Sequence, residues 1–164
     1  MKTTTWNSPH DLPETVRLQI VPLLNRQLAD AIDLTLQAKQ AHWNVKGPQF
    51  VSLHGLFDEV AETLGELADE LAERSVELGG VADGTLQAVA GATRLPAYDR
   101  ELLSGTDHLR ALAAATGNFA QSSRGAIDAA ATLGDASTAD LFTSVSRAAD
   151  KLLWKLSAHA ATPA

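Results

Sequence analysis

The sequence predicts an all-α fold, with four long helices and a short fifth in a long crossover between the second and third. Three observations predict it. Ala and Leu dominate a 164-residue chain that is 45% hydrophobic yet only 5% aromatic, a balance that favours helices over a β-sandwich. Apolar residues recur at three- and four-residue intervals over long stretches. Two short Gly-containing breaks flank one break of about twenty residues, which an up-down-up-down bundle does not need.

Residues 1–12, Thr-rich with Pro9, read as a flexible tail, and residues 13–164 as one domain. Pro13-Glu14 suits a first helical turn. Val16, Ile20, Leu24, Leu28, Ala31, Ile32 and Leu36 keep helical spacing to about Val45, before Gly47-Pro48. Pro22 either kinks this run or divides it. The second helix runs from about Phe50 to Leu78 and stops at Gly79-Gly80. The crossover, 79–98, has room for a short helix around Thr85–Ala90. A third helix is expected over about Asp99–Leu133, a turn at Gly134-Asp135, and a fourth over about Ser137–His159 with Ser137 or Thr138 as cap.

The net charge of −7 disfavours phosphate backbones and anionic membranes and favours cations. Cysteine is absent, so any metal takes N and O ligands only. No run of eighteen apolar residues occurs, and the N-terminus lacks an apolar signal region, so a cytoplasmic protein is expected.

The chemistry concentrates on helix two. His54 and Asp58 are four apart, as are Asp69 and Glu73, so each pair shares a helix face one turn apart; His42 lies twelve residues upstream. The eleven-residue step from Asp58 to Asp69 gives only ~20° of drift, but the pairs stand ~16 Å apart along the axis. Metal–ligand bonds are only about 2.0–2.6 Å long, so one ion cannot use both pairs from one helix. A second, antiparallel copy would bring Asp69/Glu73 to the first copy's His54/Asp58, making two equivalent sites per two-fold dimer. The donor set suits Fe(II), Mn(II) or Zn(II). The same acids, with Glu62 and Glu66, would also serve as a plain solvated face, and His42 beside Trp43 as a packed interfacial residue. His10, near Asp11 and Glu14, is either an accessory ligand or an exposed side chain; His108 reads as a surface residue, and His159 as a partner of its helix's C-terminal dipole.

The stretch Lys39-Gln40-Ala41-His42-Trp43-Asn44-Val45-Lys46-Gly47 closely resembles the signature of the Dps mini-ferritins, a ferritin-like family. The resemblance continues through His54 to Asp58, Asp69 to Arg74, Leu78 to Gly80, Gly134-Asp135, Thr138 to Thr143 and Asp150 to Trp154, and covers roughly residues 20–160. It implies a ferritin-like four-helix bundle assembled as a hollow dodecamer. Iron (Fe2+/Fe3+) would bind at intersubunit dinuclear ferroxidase centres made by His42, His54 and Asp58 of one subunit with Asp69 and Glu73 of another. Hydrogen peroxide would be the preferred oxidant, Fe(III) would be stored in the cavity, and Trp43 would either intercept radical equivalents or pack the interface. Glu62 and Glu66 are candidates for mineral nucleation, and Asp128, Asp135 and Asp140 for entry pores, each against a plain exposed acid or cap. Three departures stand out: Gly55 where relatives often carry an acid, Lys155 where a large apolar residue is common, and a tail with Lys2 alone where DNA-binding members are lysine-rich. The alternative of a DNA-compacting, nucleoid-associated particle is therefore disfavoured, and an intact five-ligand set argues against a mere structural cage.

Overall fold

The computed structural model describes Trp6 and residues 8–160, which form five helices: α1 Glu14–Asn44, α2 Phe50–Glu77, α3 Leu86–Ala92, α4 Gly105–Thr132 and α5 Ala136–Ala160. The short joins make α1–α2 and α4–α5 two hairpins. They face each other through α1 against α4 and α2 against α5. Between them lies one core in which Ile20, Leu24, Leu34, Phe57, Leu64, Phe119, Phe142 and Leu156 are fully buried. No described helix is long and apolar enough to cross a membrane.

Pro22 neither ends nor divides α1, which runs unbroken past it. Burial of Ile20, Val21 and Leu24 on the flanking turn holds the helix where propensity alone would break it. The crossover is tied down along α1. Asn25 bonds the Val81 carbonyl (2.8 Å) and the Asp83 amide (3.0 Å), Asp33 accepts from Thr93 Oγ1 (2.7 Å), and Gln37 donates to the Pro96 carbonyl (3.1 Å). Asp30, 1% exposed, accepts from the Arg94 amide (2.8 Å) and its Nε (3.0 Å).

The third long helix starts at Gly105, not near Asp99. Asp99 Oδ1 captures the Glu101 amide (2.9 Å) in a local turn, and Ser104 caps α4 by accepting from the Asp107 amide (3.1 Å). At the α4–α5 turn, Gly134 takes φ +81°, and the Asp135 and Gly134 amides bond back to Ala130 (3.1 Å) and Ala131 (3.0 Å). This is the Schellman arrangement, in which the left-handed residue satisfies the last carbonyls without a Cβ clash. The cap of α5 is Asp135, whose Oδ1 accepts from the Thr138 amide at 3.0 Å, not Ser137 or Thr138.

The N-terminal stretch makes ordered contacts at its described residues. Trp6 Nε1 donates to Val76 O (3.3 Å), Ser8 Oγ to Glu77 O (3.2 Å) and Arg17 Nη1 to Leu78 O (2.9 Å), so this end of the chain covers the free carbonyls of α2. Lys2 lies outside the described residues.

Candidate metal half-site at the α1–α2 hairpin

His42 closes α1 and His54 opens α2, and the five-residue join between the helices turns one ring onto the other. The imidazoles stack with centroids 3.6 Å apart and planes 21° apart. Each ring donates from Nδ1 to the other residue's backbone: His42 Nδ1 to His54 O and His54 Nδ1 to His42 O, both at 2.8 Å. A carbonyl only accepts, so both Nδ1 atoms carry protons, and the tautomer this selects has its lone pair on Nε2. Backbone carbonyls orienting a ligand histidine in this way fix its tautomer before any metal arrives. Phe50, stacked on His54 at 5.0 Å, flanks the arrangement.

Asp58 stands one turn beyond His54, with Oδ1 3.9 Å from His42 Nδ1. Its carboxylate is hydrogen-bonded by the Lys39 ammonium. That bond holds its pKa below the usual carboxylate value, against the opposing effect of desolvation. The half-site thus sets two stacked imidazoles near an ionised carboxylate, with no thiolate. This donor set fits a first-row divalent ion such as Fe(II).

Asp69 and Glu73 are exposed on the same helix, form no ion pair among the described residues, and do not join that cluster. Among the described residues, no three or more His, Asp or Glu of one chain are placed to hold a metal ion. The hairpin brings His42 to His54 and leaves the two pairs on α2 apart. Trp43, next to the first histidine, is 66% exposed, and Leu36, Phe50 and Val51 are exposed nearby.

Glu62, Glu66, Asp128 and Asp140 are exposed. Asp135, the third residue named for a pore, is 2% exposed and already engaged: it caps α5 and takes Arg74 Nη2 on both oxygens (3.1 and 3.3 Å). Gly55 faces open space: a Cβ there would meet no described residue within 4 Å. Lys155 pairs with Glu59, and its charge is thereby neutralised across α2 and α5. His10 Nδ1 lies 3.3 Å from Asp11 and takes the Leu12 amide at 3.2 Å, a local turn. His159 Nδ1 bonds the Lys155 carbonyl at 3.0 Å in the last turn of α5.

His108 is 1% exposed, not a surface residue, and its Nδ1 lies 2.6 Å from Tyr98 Oη. The signal was present in the spacing. His108 precedes Leu112 by four residues and Phe119 by eleven, which puts it on the core face of α4.

Comparison with known proteins agrees with this geometry. A family model described as a ferritin-like domain matches residues 21–163. The chain is 46% identical to the DNA protection during starvation protein of Agrobacterium fabrum over 155 residues, 94% of this chain and 96% of that one. DpsC from Streptomyces coelicolor superimposes with a TM-score of 0.94 at 31% identity, covering 98% of this chain and 94% of that one. The Dps protein of Vibrio cholerae, described as a ferritin-like diiron-carboxylate protein, gives 0.85 at 26% identity, covering 90% of this chain and 92% of that one. With five helices, a crossover in the ferritin-like place and relatives matched over nearly their full length, the chain belongs to the Dps family of ferritin-like proteins.

Proposed function

We propose that the protein is a ferroxidase and iron store that removes Fe(II) and hydrogen peroxide together. The observation that carries this reading is the divided ligand set. His42 and His54 are locked for metal beside Asp58, while Asp69 and Glu73 stand exposed on the same helix and out of reach. Two chains paired antiparallel along α2 would complete two equivalent centres, Asp69 and Glu73 of the partner subunit closing each. The exposed Trp43, Leu36, Phe50 and Val51 beside the half-site would be covered by such pairing.

In this reading Fe(II) is substrate. The carboxylates and the two Nε2 lone pairs hold two ferrous ions, each gives one electron, and peroxide takes both, which limits release of hydroxyl radical. Fe(III), stabilised by hard carboxylate oxygens, then passes to a store inside a dodecameric shell, with Glu62 and Glu66 as nucleating acids and Asp128 and Asp140 on the entry route. Zn(II) or Mn(II) would compete for the same ligands. The protein would act in the cytoplasm and protect DNA by removing the reagents of oxidative damage rather than by binding it, since a −7 chain repels phosphate.

The test is an anaerobic Fe(II) titration followed by limiting peroxide, reading Fe(III) absorbance and dissolved oxygen. Fast oxidation, with two ferrous ions consumed for each peroxide and no oxygen evolved, is expected. A rate equal to that of protein-free buffer would remove the proposal.

The Lys39–Asp58 pair gives a second expectation. The ammonium occupies the carboxylate that the first ion needs, so metal and lysine compete. Lys39→Met should tighten first-site binding roughly twofold to fivefold, the scale of a half-exposed ion pair. Anaerobic calorimetry with Fe(II) reads it directly; weaker binding would mean that Lys39 orients Asp58 rather than competing for it.

A further inference from the structure

Tyr98 and His108 are joined in a way the iron site does not use. Tyr98, half-buried in the segment between α3 and α4, places Oη 2.6 Å from His108 Nδ1, with the rings 12° from parallel. His108 is buried with its other nitrogen, Nε2, lacking any partner among the described residues. Desolvation lowers its pKa, against the opposing charge of Asp107, so the ring is neutral and one nitrogen is a free base. Burial, with a smaller contribution from Asp99, raises the Tyr98 phenol pKa, so the phenol does not lose its proton to solvent as phenolate. The short hydrogen bond is the path the structure provides for that proton.

The pair also lies close behind the half-site. His108 sets its ring against Phe57 (centroids 6.2 Å apart, 64° between planes), and Phe57 immediately precedes Asp58. One turn earlier, Gly105 lets α4 press on Leu53, the residue before His54; a Cβ there would come within 2.3 Å of Leu53 Cδ1. His54 and Asp58 thus each follow a residue packed against the first turns of α4, about one helix diameter, ~10 Å, from the pair.

We propose that Tyr98 and His108 form a redox-active couple that absorbs single oxidising equivalents escaping the iron centre. The origin of those equivalents rests on the iron–peroxide reading above. A lone Fe(II) reduces peroxide by one electron, giving Fe(III), hydroxide and hydroxyl radical. The radical takes one electron from the Tyr98 ring and one proton from solvent and leaves as water. The phenol O–H bond breaks, its proton moves to His108 Nδ1, and a neutral tyrosyl radical remains beside an imidazolium. That cation is costly in an apolar setting, so the proton returns once the radical is reduced by a further Fe(II), which restores both residues. The three tryptophans, Trp6, Trp43 and Trp154, are exposed, and none is hydrogen-bonded to a titratable base among the described residues.

The composition makes the test clean, because Tyr98 is the chain's single tyrosine and any tyrosyl signal belongs to it. Iron-free, full-length protein is oxidised with photogenerated tris(bipyridyl)ruthenium(III) and followed by transient absorbance and freeze-quench electron paramagnetic resonance. A tyrosyl radical is expected, and it should vanish in Tyr98→Phe, which keeps the ring and the packing. In His108→Gln, with folding checked by circular dichroism, the radical should form ~100-fold more slowly for want of a base. Tryptophan radicals alone in the wild type, or a wild-type rate in the Gln variant, would overturn the couple whatever the iron chemistry proves to be. A tyrosyl signal with the photo-oxidant but none with Fe(II) and peroxide would overturn its supply from the iron centre.

Discussion

Co-refolding inactive Asp58→Ala subunits with equal amounts of inactive Glu73→Ala subunits should restore about a quarter of the wild-type iron-oxidation rate. On the intersubunit centre proposed above, each variant alone breaks every centre, since each centre takes Asp58 from one chain and Glu73 from another. The loss should be at least ~100-fold, because even residues that merely support metal ligands cost about 10–100-fold when removed. In a random mixture a centre is intact only when its Asp58 side comes from a Glu73→Ala chain and its Glu73 side from an Asp58→Ala chain, one arrangement in about four. If the ligands belonged to one chain, no mixture could recover, because every chain would still carry a broken site. A dead mixture with correctly assembled particles would therefore defeat the intersubunit centre. Full activity in either single variant would remove that residue from the ligand set.

Asp135→Ala should destabilise the subunit by about 3–5 kcal/mol, the usual cost of leaving one partner of a buried ion pair alone. Asp135 is 2% exposed and holds Arg74 at 3.1 Å, the Thr138 amide at 3.0 Å and the Thr138 hydroxyl at 2.5 Å. Its removal strips the cap of α5 and leaves the half-buried Arg74 guanidinium with only exposed Glu77 and the Thr138 hydroxyl. The cap alone accounts for about 0.5–2 kcal/mol, and the two losses overlap because the same oxygens serve both. Urea unfolding at fixed subunit concentration measures the sum. Asp135→Asn, which keeps an acceptor for the Thr138 amide but drops the charge, should fall between. A shift under about 1 kcal/mol for the Ala variant would show that Arg74 finds another partner. Arg74 adjoins Glu73, so any loosening would also reach that proposed ligand.

The sequence alone carried the helix count and the crossover, and it put the proposed ligands of α2 on one helix face. Helical period and glycine stops are local properties, and residues four apart meet on a helix whatever surrounds it. The clasp between His42 and His54 was not legible, because it depends on how the join at 45–49 turns, not on spacing. Pro22 misled for a similar reason: local propensity argues for a break, and packing of its neighbours overrides it. The early start given to the third long helix came from helix-compatible residues at 99–103. The competing signals, Asp99 taking the Glu101 amide and Ser104 taking the Asp107 amide, are side-chain bonds that periodicity does not register. Asp135 reads in the sequence as a pore acid, an exposed acid or a helix cap; it is the cap, and only the structure shows Arg74 set against it. His108 was readable from its register with Leu112 and Phe119, but its polarity pointed outward.

The divided ligand set on α2 has a consequence for timing. His42 and His54 belong to one hairpin closed by five residues, so their clasp forms through local contacts, the fastest kind to fold. Asp69 and Glu73 lie on that same hairpin, yet no degree of folding within one chain brings them to the clasp. If the centre is shared as proposed, a newly made chain holds every ligand and still cannot close it. Catalysis would then begin only when chains meet, and its onset would scale with the square of subunit concentration. By mass action, a ligand that binds only the paired form draws chains together. On the proposed function, rising iron would promote the assembly that disposes of it, and dilute chains in an iron-poor cell would stay inert.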